Sequence, residues 1–249
     1  MKALIAQARM ELVLSLRQGE QLLVAMGIPV LLLVFLTQVA LLPAGSGARI
    51  DTLTPAVLAL AVMSSAMVSL GIGTGFERHY GVLKRLGATP LGRPRLLGAK
   101  VAALLVTETV QLLVLSLVAL VLGWDPTIDA AGGALALAAL VVATAAFAGL
   151  GLALAGTLSG PANLAAANGL YLLLLLFGGV AVPAEELPGP LQNLAELTPI
   201  GALVKALRAA TDPARTGTST ITASLVVLLA WAAVTVAVAA RTFRWSPNR

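Results

Sequence analysis

Gly133–Leu158 reads GALALAALVVATAAFAGLGLALAGTL, a stretch without a single charged side chain. At about 1.5 Å of rise per residue, a helix of that length exceeds the roughly 30 Å of hydrocarbon in a bilayer. Lipid offers the backbone no hydrogen-bond partners, so such a run must be helical. A strand of an outer-membrane barrel would alternate polar and apolar residues over about 10 positions. This run is continuous, which argues against one.

Five more apolar runs of comparable length flank it: Leu22–Leu42, Pro55–Phe76, Leu97–Leu122, Leu164–Val182 and Thr220–Ala240. The expectation is an all-α membrane protein, one transmembrane domain over 1–249. Its six spans fall near 22–42, 55–76, 97–122, 133–158, 164–182 and 220–240. Composition agrees. Of 249 residues, 59% are hydrophobic and 11% charged, against about 25% charged in soluble domains. Mean hydropathy is +0.96. So few charges could not cover a soluble surface.

Charge placement predicts orientation. Lys2, Arg9 and Arg17 precede the first span. Arg78, Lys84, Arg85, Arg93, Arg95 and Lys100 lie between the second and the start of the third, and Arg241, Arg244 and Arg249 follow the last. Arg49, Lys205, Arg208 and Arg215 are left for the other side, diluted by acids. Positive residues favour the cytoplasm, so both termini and the 77–96 loop are expected there, in a multi-pass protein of the cell membrane. The net charge of +5 is therefore a topology signal; basic residues at helix ends form no nucleic-acid face. The chain has no cysteine and a single histidine, His79. Thiolate chemistry is excluded, and a histidine metal cluster with it. The first apolar run is longer than the core of a cleaved signal peptide, so cleavage is not expected.

Before the first span, Leu4, Ile5, Ala8, Leu12 and Leu16 share one helical stripe beside Lys2, Arg9 and Arg17. This predicts an interfacial helix over 2–20, with a plain extension of the first span as the alternative. Between the last two spans, 183–219 carries Pro183, Pro188, Pro190, Pro199 and Pro213. It is too broken to span and too apolar near Leu191–Leu207 for a free loop. Short helices partly dipped into the bilayer fit it.

The loop Glu77-Arg78-His79-Tyr80-Gly81-Val82-Leu83-Lys84-Arg85-Leu86-Gly87-Ala88-Thr89-Pro90-Leu91 reads as a short amphipathic helix ended by Gly87 and Pro90. Val82, Leu83 and Leu86 form its apolar face, and Arg78, Lys84 and Arg85 carry charge. An ordinary positive-inside loop would explain the charges alone.

This loop resembles the coupling region of type-2 ABC exporter permeases, the family containing daunorubicin-resistance-type membrane subunits. Glu77, Arg78, Gly81, Leu83, Lys84, Arg85, Leu86, Thr89, Pro90 and Lys100 match that pattern. His79-Tyr80 and Val82 depart from it. Phe177–Pro183, Leu187-Pro188, Leu197–Ile200 and Leu207-Arg208 are similar to the family's outer re-entrant region. The resemblance covers essentially the whole chain. It implies an exporter of two permease halves, either two copies or this chain and a similar permease, with two cytoplasmic ATPase subunits. It also implies that Glu77, Arg78, Gly81, Leu83, Lys84, Arg85 and Leu86 couple the permease to those ATPases. ATP and Mg would sit on the partner, and no cofactor on this chain. Consistently, the chain has no phosphate-binding Gly-x4-Gly-Lys motif. Gly71-Ile72-Gly73-Thr74-Gly75 lacks the lysine and sits at a span end, where helix packing is the better reading.

Glu108 is the one ionisable residue well inside a span, roughly 15 Å deep at helical rise. A carboxylate there costs around 2.5–3.5 kcal/mol on insertion scales. Gln111 lies on the same face. Glu108, Gln111 and Asn168 are candidates for the translocation path; a hydrogen bond between helices is the competing role for Glu108. Asn163, Asn168, Ser64, Ser65 and Ser69 also suit helix packing, as do Gly149, Gly151 and Gly156. The leading expectation is the membrane subunit of an ATP-driven exporter for hydrophobic or amphipathic small molecules, antibiotics among them, or lipids. A proton-coupled transporter using Glu108 and a non-transporting scaffold are the alternatives. Paired acids or an activated nucleophile, which an enzyme needs, are lacking.

Overall fold

A computed structural model describes residues 2–17, 19–38, 49–87, 92–180, 188–212 and 218–245, with side chains omitted at 2–5, 14–25, 49 and 93–94. Among these, regular structure is entirely helical. In order come α1 (Lys2–Arg17), α2 (Gly19–Gln38), α3 (Arg49–Met63), a π-helical turn (Ser64–Ser69), α4 (Leu70–His79) and α5 (Val82–Gly87). Then follow α6 (Arg93–Val121), α7 (Ala130–Thr157), α8 (Gly160–Phe177), α9 (Gly189–Leu197), α10 (Pro199–Thr211) and α11 (Thr218–Thr242).

The protein is a multi-pass, all-α membrane protein. Five helical runs are long and apolar enough to cross: Ile50–His79, Arg95–Val121, Ala130–Thr157, Gly160–Phe177 and Thr218–Thr242. The expected first span, 22–42, corresponds to α2, whose described apolar part is Met26–Gln38. The expected fifth span ends early, at Phe177 rather than Val182. Gly178 caps it and Gly179 turns the chain at φ +68°. Residues 88–91, 181–187 and 213–217 lie outside the described residues, and with them Thr89, Pro90, Val182, Pro183, Leu187 and Pro213.

Local chemistry sets the helix ends. Asp129 caps α7 by accepting a hydrogen bond from the Gly132 amide at 2.9 Å. Thr198 caps α10, with the Gly201 amide donating to its Oγ1 at 3.1 Å. The same hydroxyl lies 2.7 Å from the Ala195 carbonyl, closing the corner between α9 and α10.

The second span is the centre of the bundle. Leu53–Met63 is buried at every position, as expected of a helix that is apolar all round. α10 is buried nearly throughout and packs against α3, α7 and α11. α6, α8 and α11 leave most of their apolar surface outward. α7 is the hub, in broad contact with α11 and the second span. Its glycines explain how. A Cβ on Gly151 would stand 2.5 Å from the Met67 carbonyl, and one on Gly71 would stand 2.9 Å from Gly151 Cα. A Cβ on Gly149 would meet Thr235 Oγ1 at 2.5 Å, and one on Gly156 the ring of Phe243 at 2.7 Å. Small residues let these backbones touch, which is how helices gain attraction where water exclusion gives none.

Candidate functional site

Two polar zones interrupt the apolar bundle. The first lies where α4, α7 and α11 end and α6 and α8 begin. The sequence predicts one short helix from Glu77, ended by Gly87 and Pro90; the backbone instead breaks it at Gly81. α4 runs on to His79, and Gly81 then adopts φ +72°, which a residue without Cβ does freely. α5 follows as a single short helix. Glu77 and Arg78 therefore belong to the span end, and Leu83, Lys84, Arg85 and Leu86 to the separate helix.

The members of this stretch divide by direction. Leu83 is fully buried against Leu96, with Leu86, Phe243 and Trp245 packed around the pair. Phe243 and Trp245 meet edge to face, ring centroids 5.0 Å apart. His79, Tyr80, Val82, Lys84 and Arg85 are exposed. Arg78 turns inward and is 1% exposed. Its Nη1 donates to the Gly156 carbonyl at 2.9 Å, and its Nη2 donates to the Leu158 carbonyl. Those carbonyls end α7 and lack intrahelical donors, so one guanidinium satisfies both and ties α4 to α7.

Glu77 binds elsewhere. Lys100 Nζ lies 2.6 Å from Glu77 Oε1 and 3.1 Å from a carboxylate oxygen of Glu11 on α1. One buried lysine thus joins the N-terminal helix, the second span and the start of α6. Its removal leaves two carboxylates facing each other. Lys100→Met is expected to cost about 3 kcal/mol, read as a lower thermal midpoint in detergent. Adding Glu11→Gln and Glu77→Gln should recover most of that loss; no recovery would mean the lysine acts through packing alone.

The second zone lies deeper. Glu108 is 4% exposed and Gln111 2%. Glu108 Oε1 sits 2.5 Å from Thr144 Oγ1 on α7, and Gln111 Oε1 accepts from Ser65 Oγ at 2.6 Å. Thr144 Oγ1 also lies 2.8 Å from the Leu140 carbonyl. That hydroxyl has one hydrogen to share between the two acceptors. Ser65 belongs to the π-helical turn, a rare element often found at functional positions. Asn168 is not part of this seam. It is exposed on α8, with Nδ2 bonded to the Leu164 carbonyl at 3.0 Å. Asn163 is the packing residue of that helix, donating to the Gly71 carbonyl at 2.9 Å.

Glu11, Ser65, Thr144, Phe243 and Trp245 complete these zones; the sequence pointed only to Ser65, as helix packing, and to Trp245, as an interface anchor. Thr144 had a signal: it is one of two hydroxyls in 133–158. Glu11 had a weaker one, as the single acid of α1.

A family model described as ABC-2 type transporter matches residues 3–211, from α1 to the end of α10; it takes in the whole second zone and all of the first except the end of α11 with Phe243 and Trp245. The chain belongs to the ABC-2 type transporter family. None of the curated proteins matches it significantly. As an ABC-2 type chain, it is a membrane permease subunit of a transporter. Among its described residues, no three His, Asp or Glu side chains gather as a metal ion would require.

Proposed function

We propose that this chain is the membrane half-subunit of an ATP-driven exporter, with ATP and its Mg bound and hydrolysed on a separate cytoplasmic ATPase. The observation that carries the reading is α5. It is a short helix exposing Lys84 and Arg85 outward while Leu83 is wedged into the bundle beneath them. A partner pushing on the charged face would move Leu83 against Leu96 and so act on α6. The turn at Gly81 leaves α5 free to tilt about the end of α4.

The proposal has six spans, α2 being the first, with both termini cytoplasmic and α1 along the cytoplasmic interface. It treats α9 and α10 as re-entrant. Trp231 Nε1, near the middle of α11, donates to the Leu197 carbonyl at 2.8 Å, beside the corner between those helices. Two such chains, or this chain and a similar permease, would enclose the path. Glu108 and Gln111 would line the seam that opens between α6, α7 and the second span. Asn168 would face the second permease across the exposed side of α8. The cargo is a hydrophobic or amphipathic small molecule, antibiotics and lipids included, taken outward from the membrane.

The test is transport into inverted vesicles, with vanadate-sensitive ATP hydrolysis measured on the complex that copurifies with the chain. Uptake should stop on ATP depletion and survive collapse of the proton gradient; the opposite pattern sinks the proposal. Arg85→Glu should lower the permease's stimulation of hydrolysis about tenfold, as charge reversal at a docking face does. Glu108→Gln keeps a donor towards Thr144, so the fold should hold. Unchanged transport and cargo-stimulated hydrolysis in that variant would confine Glu108 to packing.

A further inference from the structure

We propose that the ATPase docks on two segments far apart in sequence, α5 and the C-terminal arm 241–245, which together make one basic face. This rests on the exporter reading and extends its docking surface to a region beyond the residues the family model matches.

The arm is built into the bundle by its backbone and rings. The Arg244 amide donates to the Gly156 carbonyl at 3.1 Å, the same carbonyl that Arg78 Nη1 reaches. Gly156 has no side chain to keep Phe243 away. Phe243 and Trp245 then close over Leu83, Leu86 and Leu96. With its rings turned inward, the arm leaves the side chains of Arg241 and Arg244 exposed, at the end of the bundle where Lys84 and Arg85 are also exposed. Glu77, the nearby acid of α4, is engaged by Lys100. The face is therefore strongly positive, and it suits an acidic cleft on the partner. The apolar cluster also makes the two segments move together: a force on Lys84 and Arg85 reaches Trp245 and, through Gly156, the end of α7. Anionic lipid headgroups share the chemistry of an acidic cleft. The wedge of rings between α5 and the arm favours a protein, because a lipid surface needs no rigid link between its contacts.

The experiment uses the copurified complex in phosphatidylcholine vesicles, with and without phosphatidylglycerol. Arg244→Glu should weaken ATPase association about tenfold, in both lipids, and Arg244→Lys should restore most of it. A photo-crosslinking residue at position 244 should give an adduct with the ATPase polypeptide. If Arg85→Glu loses association while Arg244→Glu does not, and position 244 gives no ATPase adduct, the arm is overturned and the exporter reading stands. If both variants are silent, the α5 docking reading fails as well. An effect of Arg244→Glu seen only with phosphatidylglycerol, with lipid adducts alone, would assign the arm to the membrane and overturn the proposal.

Discussion

Gly151→Val is expected to destabilise the protein strongly, because it forces α7 off the second span. A Cβ at 151 would lie 2.5 Å from the Met67 carbonyl and 3.1 Å from Met67 Cα. These are backbone atoms of the most buried span, so no side-chain rotation can relieve the clash. The π-helical turn that follows Met63 would have to move off α7, and the Ser65–Gln111 bond would go with it. Overpacking of this kind costs about 3 kcal/mol or more, enough to deplete the folded fraction of a marginally stable protein. Thermal melting in detergent, followed by size-exclusion of the soluble fraction, reads the effect. Gly73→Ala is the control. It has open space where its Cβ would go, and should change stability by less than about 1 kcal/mol, in the direction of gain. Equal midpoints for Gly151→Val and wild type would mean the two helices do not touch as described.

Arg78→Ala is expected to cost about 3 kcal/mol. It strips the carbonyls of Gly156 and Leu158 of their charged donor and leaves a hole at the junction of α4 and α7. Arg78→Lys should recover only part, because an ammonium is a point charge and cannot reach two carbonyls with the fork of a guanidinium. The measurement is again the midpoint in detergent, combined with protease access to the turn at Leu158-Ser159. A lysine variant as stable as wild type would refute the two-carbonyl role. Because this arginine faces inward, its loss should weaken coupling through the fold rather than by removing a contact on the docking face.

Much of the architecture was legible because lipid imposes a simple rule. A backbone in hydrocarbon must satisfy itself, so length and lack of charge mark each span without knowledge of its neighbours. That logic placed α7 and α11 to within three residues at each end and set α8 some four or five residues too late. Glycine reading worked where contact was the cause: Gly149, Gly151 and Gly156 all lie against another chain segment. It failed at Gly81, where a positive φ separates α4 from α5 inside what the sequence reads as one helix.

Other features were hidden for stated reasons. The π-helical turn at Ser64–Ser69 adds a residue to one turn, and an apolar run has no period to betray the slip. Arg78 read as a positive charge of the coupling loop. Its direction depends on carbonyls some eighty positions away, which no local pattern encodes. Glu11 looked like an isolated acid until α1 packed along α6 and brought it to Lys100. Trp245 read as an interface anchor and Phe243 carried no signal, since nothing in 243–245 points to Leu83.

By itself the sequence determined that this chain is helical, crosses the bilayer repeatedly and concentrates its positive charge towards one end, because the solvent decides those properties one segment at a time. Tertiary structure alone decided which polar groups meet: Lys100 with two acids, Glu108 with Thr144, Arg78 with the end of α7, and the C-terminal arm with α5. Inside the bundle little water competes for those groups, so each takes whatever partner packing brings within about 3 Å, and packing is a property of the whole bundle.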